Sequence, residues 1–433
     1  MTAAPATPAT PAALHPWRRG WPWALLGVAV FAGSAWFLIS KYLLDFPDEI
    51  WLVDLEVYRE GAHSLVDGRG VYAWLTDNPQ YLPFTYPPFG ALMGTVMLLA
   101  PFRAVGWAWT AMQLVLLWVC TGIAFRPFLA RFGRRSGLAQ GAVAAVLVQL
   151  QPLQEGIRFG QVNSILVTLC LVDVARRRAG WWPRGSLTGI AAAVKLTPAV
   201  FWVHYALARR WRALIVSVGT AALVTLVTAA VAPSPSAAYW FDALLDPGRL
   251  GPNANSANQS MRGVLLRTGL LPEGSHRLTA VWLALVILVA VVGYRLALRL
   301  DRLGEPVAVV AVMGMLAVLL SPVSWVHHVH WGIVVIGAML GDARRPGRVL
   351  AALAGTTMLW FNLPWDGYSW ERNHDWTRYA GYVAEQGYCW FALLALPALW
   401  LLVARRHPAA SPTAGAPDDG DGAAPERVDA LAR

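Results

Sequence analysis

The sequence predicts an all-α polytopic membrane protein, on three observations. First, 57% of its 433 residues are apolar and only 14% are charged, with a mean hydropathy of +0.46. Soluble domains carry roughly 45–50% apolar and about 25% charged residues, so a chain of this composition lacks the polar surface to face water all round and must face lipid. Second, apolar stretches recur near 22–40, 86–101, 104–125, 138–153, 161–175, 186–208, 211–232, 277–300, 305–321, 326–341, 348–363 and 386–404. Third, arginine clusters punctuate them. Together these exclude a soluble enzyme, a nucleic-acid binder and a disordered scaffold. The net charge of +10 reads as a bias of cytoplasmic loops.

Taken in order, residues 1–16 are an Ala/Pro/Thr tail and 407–433 a Pro/Gly/Ala/Asp tail. Neither can bury a core, so both are expected to be disordered cytoplasmic tails around a membrane domain at 17–406. Residues 22–40 are too long for a signal-peptide core and read as the first span. The clusters Arg18-Arg19, Arg126 to Arg135, Arg176 to Arg184, Arg209 to Arg212, Arg295 to Arg302, Arg344 to Arg348 and Arg405-Arg406 are placed in the cytoplasm. That puts 42–85, 154–160, 233–276, 322–325 and 364–385 outside, and nearly every unusual polar cluster with them. Several stretches fall short of the ~20 residues a perpendicular span needs, so about 12 membrane helices are expected, some broken or re-entrant. Segment 186–208 has arginines at both ends and is expected to enter and leave one face as two short helices around Pro198. Region 86–125 looks like two helices yet must cross an odd number of times. Cys120, Cys170 and Cys389 lie in or beside apolar runs without CxxC spacing and support neither disulfides nor a zinc site.

The candidate chemistry starts at Trp51-Leu-Val-Asp-Leu-Glu-Val-Tyr58. Val53 to Ala62 reads as a short amphipathic helix on the membrane, with Asp54 and Tyr58 on one face and Glu56 elsewhere. Asp54 is either part of a solvated acidic loop or a general base made more basic by partial desolvation. Tyr81-Leu-Pro-Phe-Thr-Tyr86-Pro-Pro-Phe fixes a rigid start to a span, as an interfacial belt or with Tyr86 lining a sugar site. Gln161 and Asn163, in Gly160-Gln-Val-Asn163, either cap a helix or bond carbohydrate hydroxyls. Lys195 is one of only two lysines and sits mid-segment in Ala-Ala-Ala-Val-Lys195-Leu-Thr-Pro198. A cation at membrane depth is costly and is a functional candidate by default, with a lipid phosphate as its natural partner.

In Asn253-Ala-Asn-Ser-Ala-Asn-Gln259-Ser-Met-Arg262-Gly263 the amides suit sugar hydroxyls and Arg262 suits a phosphate, although a flexible polar loop would look similar. Ser321-Pro-Val-Ser-Trp-Val-His327-His328-Val-His330 gathers three of nine histidines at one break. His327 and His330 share a metal-ligand spacing, but no carboxylate or cysteine nearby completes a site. Phosphate binding or proton transfer suits them better. Trp365 to Trp376 mixes aromatics with polar groups, for sugar stacking or interfacial anchoring.

Asp54 after the first span, Phe84-Thr-Tyr-Pro-Pro88, Gly160-Gln-Val-Asn163, Lys195-Leu-Thr-Pro198, Asn258-Gln-Ser260 and Ser321-Pro-Val-Ser-Trp-Val-His-His328 occur in this order. The set resembles glycosyltransferase family 87, the GT-C fold group of actinobacterial polyprenol-phosphate-mannose-dependent α-mannosyltransferases, over about residues 20–405. The resemblance implies inverting transfer of mannose from polyprenyl-phosphate-mannose to a glycolipid acceptor of phosphatidylinositol mannoside type, through an α-(1→2) linkage. It implies a multi-pass protein of the bacterial plasma membrane whose active site faces the periplasm. It implies Asp54 as catalytic base, with Lys195, Arg262 and His327 or His328 holding the donor phosphate. Glu56, Tyr86, Gln161, Asn163 and Asn258 are then candidate sugar or acceptor contacts. No metal or other cofactor is demanded, because a phosphopolyprenol is already a good leaving group. A monomer working with membrane lipids, and no nucleic acid, is expected. The competing readings are a carrier or flippase for a lipid-linked sugar, a transferase using lipid-linked arabinofuranose, and a membrane scaffold.

Overall fold

The computed structural model describes residues 20–76, 81–176 and 181–404. The two expected tails, Arg18-Arg19, Asp77 and Arg405-Arg406 lie outside the described residues. Within them the chain is helical, and the only β pairing is two isolated bridges, Leu75 with Pro83 and Asn258 with Trp325.

Five described helices are long and apolar enough to cross a membrane: Trp21–Leu44, Phe102–Ala124, Trp211–Val231, His276–Arg302 and Gly387–Ala404. A sixth span exists if the helices Gln151–Phe159 and Asn163–Ala175, bent by 119° at their junction, count as one. Pro88–Leu99, Pro306–Leu320 and Val326–Leu340 are shorter apolar helices. Twelve apolar stretches therefore do not become twelve long spans, and the expected count is not established. The reason is that hydropathy marks lipid-facing and core helices alike. Only 17% of the Trp211–Val231 window is buried inside the protein, and Leu223, Leu226 and Val231 on it are exposed. Every residue from Ala308 to Leu319, by contrast, is buried. A helix apolar on all sides belongs inside a bundle. Its fifteen residues rise roughly 22 Å at 1.5 Å each, short of the ~30 Å hydrocarbon core.

Close packing uses glycine where backbones meet. A Cβ on Gly27 of the first span would lie 2.1 Å from the Gly137 carbonyl oxygen of the Ser136–Leu147 helix. Such small-residue contacts let membrane helices approach closely without a hydrophobic driving force. The arginine-bearing turns meet one another. Arg131 Nη1 donates to the Asp342 carbonyl at 2.9 Å, and Arg210 grips Asp301 with two hydrogen bonds of 2.9 and 2.7 Å.

At the breaks one expectation changes and another keeps its two short helices. The stretch 138–153 is not one helix: Ser136–Leu147 ends and Gln151–Phe159 begins, so 154–160 is the end of a helix rather than a loop. Segment 186–208 does form two short helices, Ser186–Val194 and Val200–Leu207, joined by a 3₁₀ turn at Thr197–Ala199. The polar segment 253–263 is pinned rather than free. Ser256 Oγ donates to Glu385 Oε1 at 2.6 Å, Gln259 N to the Ser324 carbonyl at 2.6 Å and Ser260 Oγ to the Pro322 carbonyl at 2.8 Å. A buried ion pair, Arg267 with Glu385 at 3.7 Å, closes the junction.

Candidate active site

Asp54 sits in the first turn of the helix Val53–Val66, which runs four residues beyond the expected Ala62. The helix is preceded by Leu52 in the left-handed region, at φ +50°, a conformation that costs a leucine about 1–3 kcal/mol and that surrounding packing must hold. Asp54 and Tyr58 share a face, and both reach one amide on another helix pair. Gln161 Nε2 donates to Asp54 Oδ2 at 2.5 Å. Its carbonyl Oε1 lies 3.2 Å from the Tyr58 hydroxyl and 3.4 Å from that of Tyr86, and the two hydroxyls are 3.0 Å apart. Phenol donors on one side and an acceptor carboxylate on the other leave only one orientation for the amide. Glu56, two positions on, lies on another face of the helix and is half-buried.

Gln161 is delivered by the elbow of the bent pair. Gly160 has φ +71°, and a Cβ there would lie 2.7 Å from Leu55 Cβ, so glycine is needed both for the turn and for contact with the Asp54 helix.

Lys195 ends the helix Ser186–Val194 in an extended conformation, at φ −151° and ψ 132°, where Leu-Thr-Pro stops the helix from continuing. Its ammonium stands 5.2 Å from the Tyr86 ring centroid and 2.8 Å from His328 Nε2. His328 Nδ1 accepts the backbone N–H of Trp325 at 3.2 Å. A neutral imidazole whose Nδ1 accepts carries its proton on Nε2. Two N–H donors therefore face the same space, an arrangement that an anion seated against both relieves. They open on a narrow cleft also bordered by Asn163, Thr197 and Trp331. Asp54, Tyr86, Gln161, Lys195 and His328 thus form one contiguous set.

The remaining candidates are placed differently. Asn258 is fully buried, with Nδ2 on the Asn253 carbonyl and Oδ1 taking the backbone N–H groups of Ser260 and Ser324. It is a brace behind the histidine turn Val326–Trp331, not a group free for a sugar, which corrects the expectation. Asn163 Nδ2 holds the His327 carbonyl at 3.0 Å and has the same bracing character. His327 is buried edge-on to Phe159, its Nε2 without a hydrogen-bond partner. Arg262 makes no hydrogen bond or ion pair with the Lys195–His328 pair among the described residues, and its buried Nη1 is unpartnered.

Burial raises the Asp54 carboxyl from 3.8 to about 6, against the lowering effects of the Gln161 hydrogen bond and the Lys195 charge, with a small rise from Glu155. Burial also raises the Tyr58 hydroxyl, which stays protonated. The set therefore offers a carboxylate of moderate basicity beside a cationic anchor, the pairing that group transfer from an anionic leaving group needs.

Sequence reasoning missed two pairs. Glu155 and Arg158 form an ion pair at 3.2 Å on the Gln151–Phe159 helix, and Arg267 and Glu385 form the buried one. The i,i+3 spacing of the first, just ahead of Gly160-Gln161, was a legible signal. The second had none, since its partners lie 118 positions apart (385 − 267), at the ends of the separate helices Met261–Arg267 and Thr377–Glu385.

A bundle with membrane-length apolar helices and a half-buried carboxylate near a lysine–histidine pair is a build that suits a membrane transferase. Residues 84–322 match the family model of glycosyltransferase family 87, and the chain belongs to that family. It is 32% identical to the polyprenol-phosphate-mannose-dependent alpha-(1-2)-phosphatidylinositol mannoside mannosyltransferase of Mycobacterium tuberculosis (strain ATCC 25618 / H37Rv), over 91% of this chain and 93% of that protein. The protein of the same description from Mycolicibacterium smegmatis is 33% identical over 75% of this chain and 77% of its own length. A pentamannoside mannosyltransferase of Mycobacterium tuberculosis (strain CDC 1551 / Oshkosh) is 33% identical over 79% and 77%. No solved structure matches.

Proposed function

We propose that this glycosyltransferase moves mannose from polyprenyl-phosphate-mannose to a glycolipid of phosphatidylinositol mannoside type, with inversion and formation of an α-(1→2) linkage. The observation that carries the reading is the convergence of Asp54 with Lys195 and His328 across Tyr86 and Gln161. The names of the relatives supply the donor and acceptor. Asp54 Oδ1, the oxygen not held by Gln161, takes the proton of the acceptor hydroxyl. The acceptor oxygen bonds to the anomeric carbon as the bond from that carbon to the phosphate oxygen breaks. The electron pair leaves with the phosphate, and Lys195 Nζ and His328 Nε2–H meet the growing charge. Holding both substrates in line supplies much of the remaining acceleration.

Protein cations take the role of a metal in this scheme, so transfer is expected to persist in excess EDTA. The arginine-rich turns face the cytoplasm and the Asp54 end faces the opposite side of the plasma membrane. The test is transfer from synthetic donor to a panel of phosphatidylinositol mannosides by purified protein in nanodiscs. Transfer by the unsubstituted protein and not by Asp54→Asn supports the reading. Donor binding by both without transfer by either removes it in favour of a carrier.

A further inference from the structure

The Glu155–Arg158 pair takes no part in the steps above. It lies on the Gln151–Phe159 arm of the bent pair, directly ahead of the elbow that delivers Gln161. Gln161 donates its backbone N–H to the Gly156 carbonyl at 2.9 Å, so the amide that holds Asp54 is tied to the same turn as Glu155. Arg158 is fixed as a plane. The rings of Phe159 and Phe46 stand 4.9 and 5.2 Å from its guanidinium carbon, and Nη1 donates to Glu155 Oε1 at 3.2 Å.

Arginine presents Nε–H and Nη2–H as a parallel pair along one edge, the edge Arg210 uses on Asp301 in this chain. In Arg158 that edge is unpartnered: Nε is buried without a hydrogen bond, and Nη2 makes none among the described residues. A buried donor left unpaired costs stability, so an orphan on a fixed plane, three positions ahead of the amide that holds Asp54, points to a ligand. Charge decides which ligand. Glu155 is buried and neutralises Arg158, so the pair has no net charge and suits a neutral polyol rather than a phosphate.

We propose that Glu155 and Arg158 form a carbohydrate subsite for the acceptor's reacting sugar. The Nε–Nη2 edge of Arg158 donates to oxygens of neighbouring hydroxyls, and Glu155 holds the plane. The inference rests on the transferase reading and extends it to the acceptor side.

The test is transfer to octyl α-mannoside, an acceptor without phosphate, and to its monodeoxy analogues, by full-length protein in nanodiscs. Arg158→Gln should raise the acceptor KM about 10- to 100-fold, the range for hydrogen bonds from a charged group, and leave the donor KM unchanged. Removing the contacted hydroxyl should bring the unsubstituted protein down to the level of Arg158→Gln, and cost that variant nothing further. Glu155→Gln should give a milder form of the same pattern and serves if Arg158→Gln does not fold. A penalty seen only with phosphate-bearing acceptors, or additive penalties from the substitution and every deoxygenation, would overturn the subsite while leaving the transferase intact. Absence of transfer by the unsubstituted protein would instead remove the reading beneath it.

Discussion

Replacing Asp54 by asparagine should abolish transfer and stabilise the fold in the same protein. The substitution preserves shape and keeps an oxygen for Gln161 Nε2. Its energetic effect follows from the carboxyl's shift from 3.8 to about 6, caused first by burial. At 1.36 kcal/mol per tenfold change in proton affinity, a rise from 3.8 to about 6 corresponds to about 3 kcal/mol, an upper bound because the new amide N–H must also be accommodated. The sign is fixed by linkage. A carboxyl whose folded pKa is raised favours the fold below its unfolded pKa, and that contribution is lost as pH rises from about 4 through about 6. Above that window both states carry a carboxylate, but only the folded one keeps it out of water, and asparagine removes that cost.

The assay is thermal unfolding in nanodiscs at pH 5 and pH 8 beside transfer rates. Asp54→Asn should gain stability over the unsubstituted protein at the higher pH, and about half of that gain should vanish at the lower one, which lies inside the window. Transfer should fall by about 10²–10⁴, the usual worth of a general base. In the unsubstituted protein it should decline on the acid side with an apparent pKa of about 6. A stability difference independent of pH would refute the burial argument. Equal transfer by the two proteins would refute the base assignment and move attention to Glu56.

Removing the amide that holds the base, by Gln161→Ala, takes away a hydrogen bond that lowers the Asp54 pKa, so the acid limb of the rate profile should move above pH 6. Lys195→Met and His328→Ala should each weaken binding of polyprenyl phosphate and cut the rate about 10²-fold or more, measured by competition and initial velocity. Breaking the Arg267–Glu385 pair by Arg267→Met leaves a buried, uncompensated carboxylate and should cost about 3–5 kcal/mol, read as a large fall in Tm.

Local pattern made part of the site legible. Asp54 and Tyr58 share a face because they are one helical turn apart, and both do contact Gln161. Lys195 stood out as a cation in an apolar run, and Pro198 explained why the backbone breaks there. Asn258 misled because an amide that bonds sugar hydroxyls and one that braces a turn have the same sequence signature; only its three backbone partners distinguish them. Glu155 and Arg158 escape a sequence reading because 154–160 looks like a connection, whereas it closes a helix bent 119° from the next.

The sequence by itself determined the class of protein. Composition demanded lipid contact, arginine spacing divided the chain into apolar stretches, and an ordered set of short motifs marked the family. Those are properties of neighbouring residues, and burial of apolar surface acts on them without reference to the rest of the chain. The tertiary structure alone decided which polar groups meet. Gln161 reaches Asp54 across 107 positions and Lys195 reaches His328 across 133. It also decided which apolar helices face lipid and which, like Pro306–Leu320, lie inside the bundle. Hydrophobicity is the same on either side of such a helix, so only packing against its neighbours separates the two.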